Sequence, residues 1–286
     1  MKIASLYNKD KTVFSFEIFP PKPTTPIESI YGVLEELCAF RPDYISVTYG
    51  AGGNPHDNKT GKIASIIKNK YGIEAMAHLT CVGNDRNDIL IQLRELKEMG
   101  IENILALRGD IRPDTVVKKD FLHASDLVSF IRENSDFGVS GACYPETHPE
   151  AKNEDDDIAN LKLKADCGTQ SLITQLFFDN SSFYHFSEKA RAAGINIPIC
   201  AGIMPVTNKK QIERMVTLCG ASLPQKFVKI LQRYESNPEA LVDAGIAYAV
   251  DQIVDLVSSG VDGIHLYAMN NPYVVKKIVN SIHNIL

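Results

Sequence analysis

Residues 74–107 read EAMAHLTCVGNDRNDILIQLRELKEMGIENILAL. Glu74–Thr80 is a short apolar run of strand length. In Asp85–Met99, the apolar residues Ile89, Leu93, Leu96 and Met99 recur at helical spacing, with Arg94, Glu95, Lys97 and Glu98 between them. Asp85 suits an N-cap, since its carboxylate can accept an otherwise unpaired first-turn N–H. Gly100 suits the left-handed position that ends a helix. Asn103–Leu107 is a second short apolar run. Strand, helix and strand in this order form a parallel crossover unit.

The same alternation extends in both directions. The other candidate strands are Val13–Phe19, Tyr44–Thr48, Val139–Cys143, Leu172–Phe177, Ile197–Ile203 and Gly263–Tyr267. The other helical patterns are Ile27–Phe40, Gly61–Lys70, Ala124–Asn134, Asp156–Cys167, Ser181–Ala193, Lys209–Cys219, Ala240–Ser259 and a closing Tyr273–Asn284. Gly194 and Gly260 repeat the helix-ending position of Gly100, and Ser181 and Asn208 suit N-caps. Eight strands, each followed by a helix, predict an α/β protein of the (β/α)8 TIM-barrel class; a doubly wound open sheet is the runner-up. Pro205 to Asp262 is too long for one helix, so an extra one is expected near Pro224–Tyr234. No linker or low-complexity tract interrupts the chain, and residues 1–286 read as one domain.

The composition narrows the function. With 30 Lys+Arg against 35 Asp+Glu, the net charge of -5 lacks the basic excess typical of nucleic-acid binders. No stretch approaches a membrane span, and the first residues lack a signal-peptide core, so a soluble cytoplasmic protein is expected. None of the six cysteines forms a C-x-x-C pair, which predicts reduced, mostly buried thiols. The glycines at 50, 52 and 53 follow a strand but make neither G-x-G-x-x-G nor a P-loop.

In such a barrel the active site lies at the C-terminal strand ends. Several polar residues fall there: Glu17, Thr48, Tyr49, His78, Thr80, Arg108, Asp110, Tyr144, Glu146, His148 and Gln175. Glu17 is the sharpest. Period-2 alternation in Phe14-Ser15-Phe16-Glu17 puts Ser15 and Glu17 on one face and the two phenylalanines on the other. With the phenylalanines against helices, Glu17 points into the barrel mouth, where burial favours the protonated form a general acid needs. A structural carboxylate paired with a base is the alternative. Gly109 lets the backbone approach a ligand, though Arg108-Gly109-Asp110 is also ordinary turn chemistry. The Gln175 amide, inside an apolar strand, needs a hydrogen-bond partner from a ligand or the backbone. His78 has no second His at metal-ligand spacing, so no metal is expected. The acidic run 154–157 complements a helix N-terminus, and Asn160, Lys162 and Lys164 share or flank one face of that helix.

Together these segments resemble the 5,10-methylenetetrahydrofolate reductase family in its short bacterial form. The resemblance rests on Phe16–Pro21, Ser46–Ala51, Ala77–Cys81, Leu107–Asp110, Tyr144–Ala151, Ile173–Asp179 and Gly202–Val206, in family order across the chain. It implies a bound FAD, NADH or NADPH as electron donor, and ping-pong reduction of methylenetetrahydrofolate to 5-methyltetrahydrofolate for methionine synthesis. By motif, Glu17 is the general acid that helps open the folate ring, Asp110 stabilises the cationic iminium, and Gln175 binds the folate. The implied FAD contacts are Thr48, Tyr49, Ala51, His78, Arg108, Gly109, Asp110, Tyr144, His148, Ala151, Asp157, Asn160 and Lys164. A homodimer or homotetramer is implied as well.

Three positions depart from the family pattern. Met215 stands about where members carry a stacking aromatic, Leu163 where some members carry Arg, and Asn271 where an Arg is frequent; Met215 and Asn271 remain candidates for substrate contact. These departures leave open a partner redox subunit as electron donor. A flavin barrel acting on another amine and a non-catalytic flavin- or folate-binding subunit are the competing readings.

Overall fold

A computed structural model describes residues 1–7, 11–49, 59–111 and 118–286. Eight parallel strands close into a barrel in chain order: β1 (Val13–Ile18), β2 (Tyr44–Val47), β3 (Glu74–Thr80), β4 (Asn103–Leu107), β5 (Gly138–Cys143), β6 (Ser171–Thr174), β7 (Ile199–Ile203) and β8 (Gly263–Tyr267). The seam runs from Val13 beside Gly263 to Glu17 beside Tyr267, so the sheet has no open edge. The helices are α1 (Tyr31–Cys38), α2 (Lys59–Tyr71), α3 (Arg86–Glu98), α4 (Ala124–Asn134), α5 (Glu154–Asp166), α6 (Asn180–Ala192), α7 (Lys209–Cys219), α8 (Gln225–Tyr234), α9 (Pro238–Ser258) and α10 (Pro272–Ile282). The TIM barrel and its extra helix, α8, are therefore as the sequence predicts.

Strand alternation divides the core. Phe14, Phe16 and Ile18 pack outward with helix residues such as Leu34, Leu37 and Val275. Val13, Tyr44, Met76, Leu105, Ile173 and Cys200 fill the barrel interior. The fold begins where the sequence is clearest. Asp85 and Asp88 form a reciprocal capping box at the start of α3, which buries Ile89, Leu93 and Leu96. Each such side chain contributes roughly 1.5–3 kcal/mol relative to exposure. Gly100 then takes φ +79.

Several boundaries shift from the sequence reading, and three of the differences are instructive. Residues 27–30 form a 3-10 turn, a frequent lead-in to an α-helix, and α1 begins only at Tyr31. Asp179, not Ser181, caps α6, its carboxylate accepting from the Ser181 N–H. β6 stops at Thr174 rather than Phe177 because side chains take over the ladder there. The Gly202 N–H donates to the Thr174 hydroxyl, and the Tyr267 hydroxyl donates to the Thr174 carbonyl.

The six cysteines are free; Cys38, Cys81, Cys143 and Cys200 are buried, whereas Cys167 and Cys219 are partly exposed. Burial pushes the Cys38 thiol up to about 12 and Cys81 to about 11, so both stay protonated. No described helix is long and apolar enough to cross a membrane.

Candidate active site

A cleft of about 950 Å³ opens at the C-terminal end of the barrel. Glu17 stands at its base, 12% exposed, on the inward face of β1 as alternation predicts. Its Oε2 lies 3.6 Å from His78 Nε2 and 3.8 Å from His265 Nε2. His265 is fully buried, with Nδ1 2.7 Å from the Ser15 hydroxyl and Nε2 3.3 Å from the Ser46 hydroxyl. His78 is different: its Nε2 is buried and has no hydrogen-bond partner among the described residues. Burial pushes His78 down to about 4; the Glu17 carboxylate pulls it up and His265 pushes it further down. At neutral pH His78 is therefore uncharged. A carboxyl group set between imidazoles at the floor of a cleft can hold or release a proton towards a bound ligand.

Gly109, Arg108 and Asp110 follow β4 on one wall. Gly109 takes φ +87, and a Cβ there would sit 2.6 Å from Val82 Cγ1, so the glycine is required by both backbone and space. The Arg108 guanidinium pairs with both oxygens of Glu150. This pairing raises the Arg108 pKa and lowers that of Glu150. Asp110 lies near enough to Tyr144 and Cys219 to reinforce the effect of their burial; these groups rise to about 12 and about 11.

The loop after β5 supplies Tyr144 and His148, whose rings meet edge-on with centroids 4.6 Å apart. The loop is fixed from beneath by α5. Asp157 Oδ2 accepts from the His148 N–H at 2.9 Å, and Thr147 sits at φ +67. Lys164 donates to the Ala142 carbonyl, and desolvation lowers its pKa. On the opposite wall, Gln175 Oε1 accepts from the Leu176 N–H at 2.9 Å. Met215, Met269 and Tyr267 complete that side.

The cleft thus gathers Glu17, Thr48, Tyr49, His78, Arg108, Gly109, Asp110, Tyr144, His148, Ala151, Asp157, Asn160, Lys164, Gln175 and Met215. Ala51 and the glycines at 50, 52 and 53 lie outside the described residues. Asn271 is set apart from the cleft lining: its side chain accepts from the Val274 N–H and caps α10. His265 was not singled out from the sequence, although it alternates with Tyr267 on the inward face of β8. The Glu150 partner of Arg108 was missed as well, for no local spacing links residues 42 positions apart.

A sequence model of the family described as methylenetetrahydrofolate reductase matches residues 2–283. The chain belongs to the methylenetetrahydrofolate reductase family. Over 256 residues it is 38% identical to 5,10-methylenetetrahydrofolate reductase of Pectobacterium carotovorum, covering 90% of this chain and 85% of that one. The Escherichia coli enzyme of the same name is 36% identical, with 90% and 86% covered. Methylenetetrahydrofolate reductase (NADH) 1 of Arabidopsis thaliana is 36% identical across 94% of this chain, which spans 48% of the plant protein. Among solved structures, a Clostridium thermocellum protein that binds two copies of 5-methyl-5,6,7,8-tetrahydrofolic acid superposes with a TM-score of 0.68, covering 100% of this chain and 99% of that one. At 15% identity that likeness shows the shared fold alone. The family reaction is the reduction of methylenetetrahydrofolate.

Proposed function

We propose that this chain reduces 5,10-methylenetetrahydrofolate to 5-methyltetrahydrofolate by ping-pong hydride transfer through FAD, with a reduced nicotinamide as donor. The observation that carries the reading is the carboxyl group of Glu17, held between two imidazoles at the floor of the cleft that also contains Asp110 and Gln175. Relatives whose names specify NADH support the nicotinamide donor.

The residues present fit a flavin cofactor. The cleft volume suits a ligand of that size. The buried, unpartnered His78 Nε2 calls for a polar ligand atom, and Gly109 leaves backbone open where any side chain would clash. Thr48, Tyr49, His78, Arg108, Gly109, Tyr144, His148, Ala151, Asn160 and Lys164 would hold it, Arg108 and Lys164 bringing positive charge to its phosphates. When bound, FAD supplies the two hydride half-reactions.

The chain's own residues do the rest. Glu17 gives a proton to the folate nitrogen as the five-membered ring opens. Asp110 places negative charge beside the cationic iminium carbon that results. Gln175, whose oxygen accepts from the Leu176 N–H, presents its NH2 donors to the folate. Asp157 acts indirectly by fixing the His148 backbone.

Anaerobic stopped-flow absorbance tests the proposal. NADH or NADPH should bleach the flavin, and methylenetetrahydrofolate should reoxidise flavin that has been reduced chemically. In Glu17→Gln the first step should persist while the second falls by about two orders of magnitude or more. Reoxidation by folate without bleaching by either nicotinamide would assign the electrons to a partner redox subunit. Absence of folate-driven reoxidation would refute the function.

A further inference from the structure

The turn after β8 contains two successive non-glycine residues in left-handed conformation, Met269 at φ +50 and Asn270 at φ +53. Such residues persist only where their surroundings overdetermine them. Here the side chain of Asn270 supplies the reason. Its Oδ1 accepts from the Phe19 N–H at 2.9 Å, and its Nδ2 donates to the Phe19 carbonyl at 2.9 Å. A carboxamide thereby reproduces the rung that the β1–β8 ladder would need beyond Glu17 and Tyr267, where that pairing ends.

The segment so extended carries Glu17. The Glu17 carbonyl accepts from the Ala268 N–H at 3.2 Å, and the Ile18 carbonyl accepts from the Thr48 N–H at 3.0 Å. Asn270 closes the run at Phe19, just before Pro20, which has no N–H to donate. Phe19 and Met269 both line the cleft, so the same turn sets a wall as well as the acid. Asn meets every requirement of this position. It tolerates the left-handed region and carries both a donor and an acceptor at the right reach. Asp would lose the donor and set a carboxylate oxygen against the Phe19 carbonyl.

We propose that Asn270 is a positioning residue, which clamps the end of β1 so that the Glu17 carboxyl stays between His78 and His265. The proposal rests on the reading of Glu17 as the acid of the reductase. Its test has one arm that needs neither flavin nor folate.

The substitutions are Asn270→Gly, which keeps the backbone conformation and deletes the clamp, and Asn270→Asp, which keeps size and acceptor. In the first arm, NMR follows the His78 imidazole against pH in the flavin-free protein. His78 faces Glu17 from β1 and His265 from β8, and only Glu17 pulls its protonation upward. Glu17→Gln therefore sets the downward limit, and Asn270→Gly is expected to move towards it. In the second arm, the folate half-reaction of Asn270→Gly should fall roughly ten- to a hundredfold, as displacement of an acid by about an ångström does. Flavin reduction by nicotinamide and the thermal midpoint should change little. Asn270→Asp should lie at or below Asn270→Gly in the folate step.

An unchanged His78 titration in Asn270→Gly overturns the proposal, as does a Glu17→Gln titration identical to that of the unsubstituted protein. Parallel loss of both half-reactions and of thermal stability would reduce Asn270 to a structural role and overturn it too. If the unsubstituted protein reduces no folate, the assigned reaction fails, yet the His78 titration still decides whether Asn270 places Glu17.

Discussion

Acidification should destabilise this protein through the buried His78. The imidazole is 6% exposed, and burial lowers it from 6.5 to about 4. The folded-state value lies below the unfolded one, so between these two pH values the unfolded chain binds more protons, and stability falls as pH falls. The contribution is complete above about pH 6.5 and is lost progressively down to about pH 4, where it amounts to about 3 kcal/mol. About 2 kcal/mol of this is gone by about pH 5. Other groups titrate over the same range, so the assay must isolate one. Urea unfolding of the unsubstituted protein and of His78→Gln, each at about pH 7 and about pH 5, does so by difference. Glutamine keeps a polar side chain of similar length beside Glu17 but takes up no proton. The variant should lose about 2 kcal/mol less stability than the parent on moving between the two conditions. Equal losses would refute the reasoning, for they would mean that His78 accepts a proton in the folded cleft at no cost. The same exclusion of charge has a functional side: at neutral pH, a proton delivered from this corner of the cleft does not rest on His78.

Gly202→Ala should be strongly destabilising. Its Cβ would stand 2.3 Å from the Thr174 carbonyl and 2.8 Å from the Tyr267 ring, adding about 1–3 kcal/mol of overpacking to the loss of the Tyr267–Thr174 hydrogen bond; an unchanged urea midpoint would show that β6 and β8 do not depend on this contact. Gly109→Ala forces a side chain to φ +87 against Val82, which should lower stability by about 1 kcal/mol and reduce the flavin retained after gel filtration several-fold. Full retention would place this backbone away from the cofactor. Asp85→Ala removes the α3 capping box and should cost about 1 kcal/mol in chemical unfolding, with the cleft chemistry unaffected.

The barrel was legible because its signals are local. In residues 74–107, apolar spacing, an Asp cap and a terminal Gly give strand, helix and strand, and the structure repeats that unit around the ring. The placement of Glu17 was equally legible, since a period of two residues decides which face a side chain takes, and Phe14 and Phe16 indeed pack outward. What the sequence concealed is what barrel closure brings together. Ser15 reaches His265 across 250 positions, Asn270 reaches Phe19 across 251, and Thr174 meets Tyr267 across 93. Each contact crosses or adjoins strands whose register no local pattern reports. Two of them converge on Glu17, one through the imidazole beside its carboxylate and one through the backbone two residues beyond it. A single alternating strand therefore places Glu17 in the cleft, whereas the arrangement around its carboxyl group comes from the distant residues that close the barrel. This division also explains the separation of Asn270 and Asn271, adjacent and chemically identical. The first turns inward at φ +53 to hold β1, and the second turns away to cap α10. Their roles follow from backbone conformation, which the pair Asn-Asn does not specify.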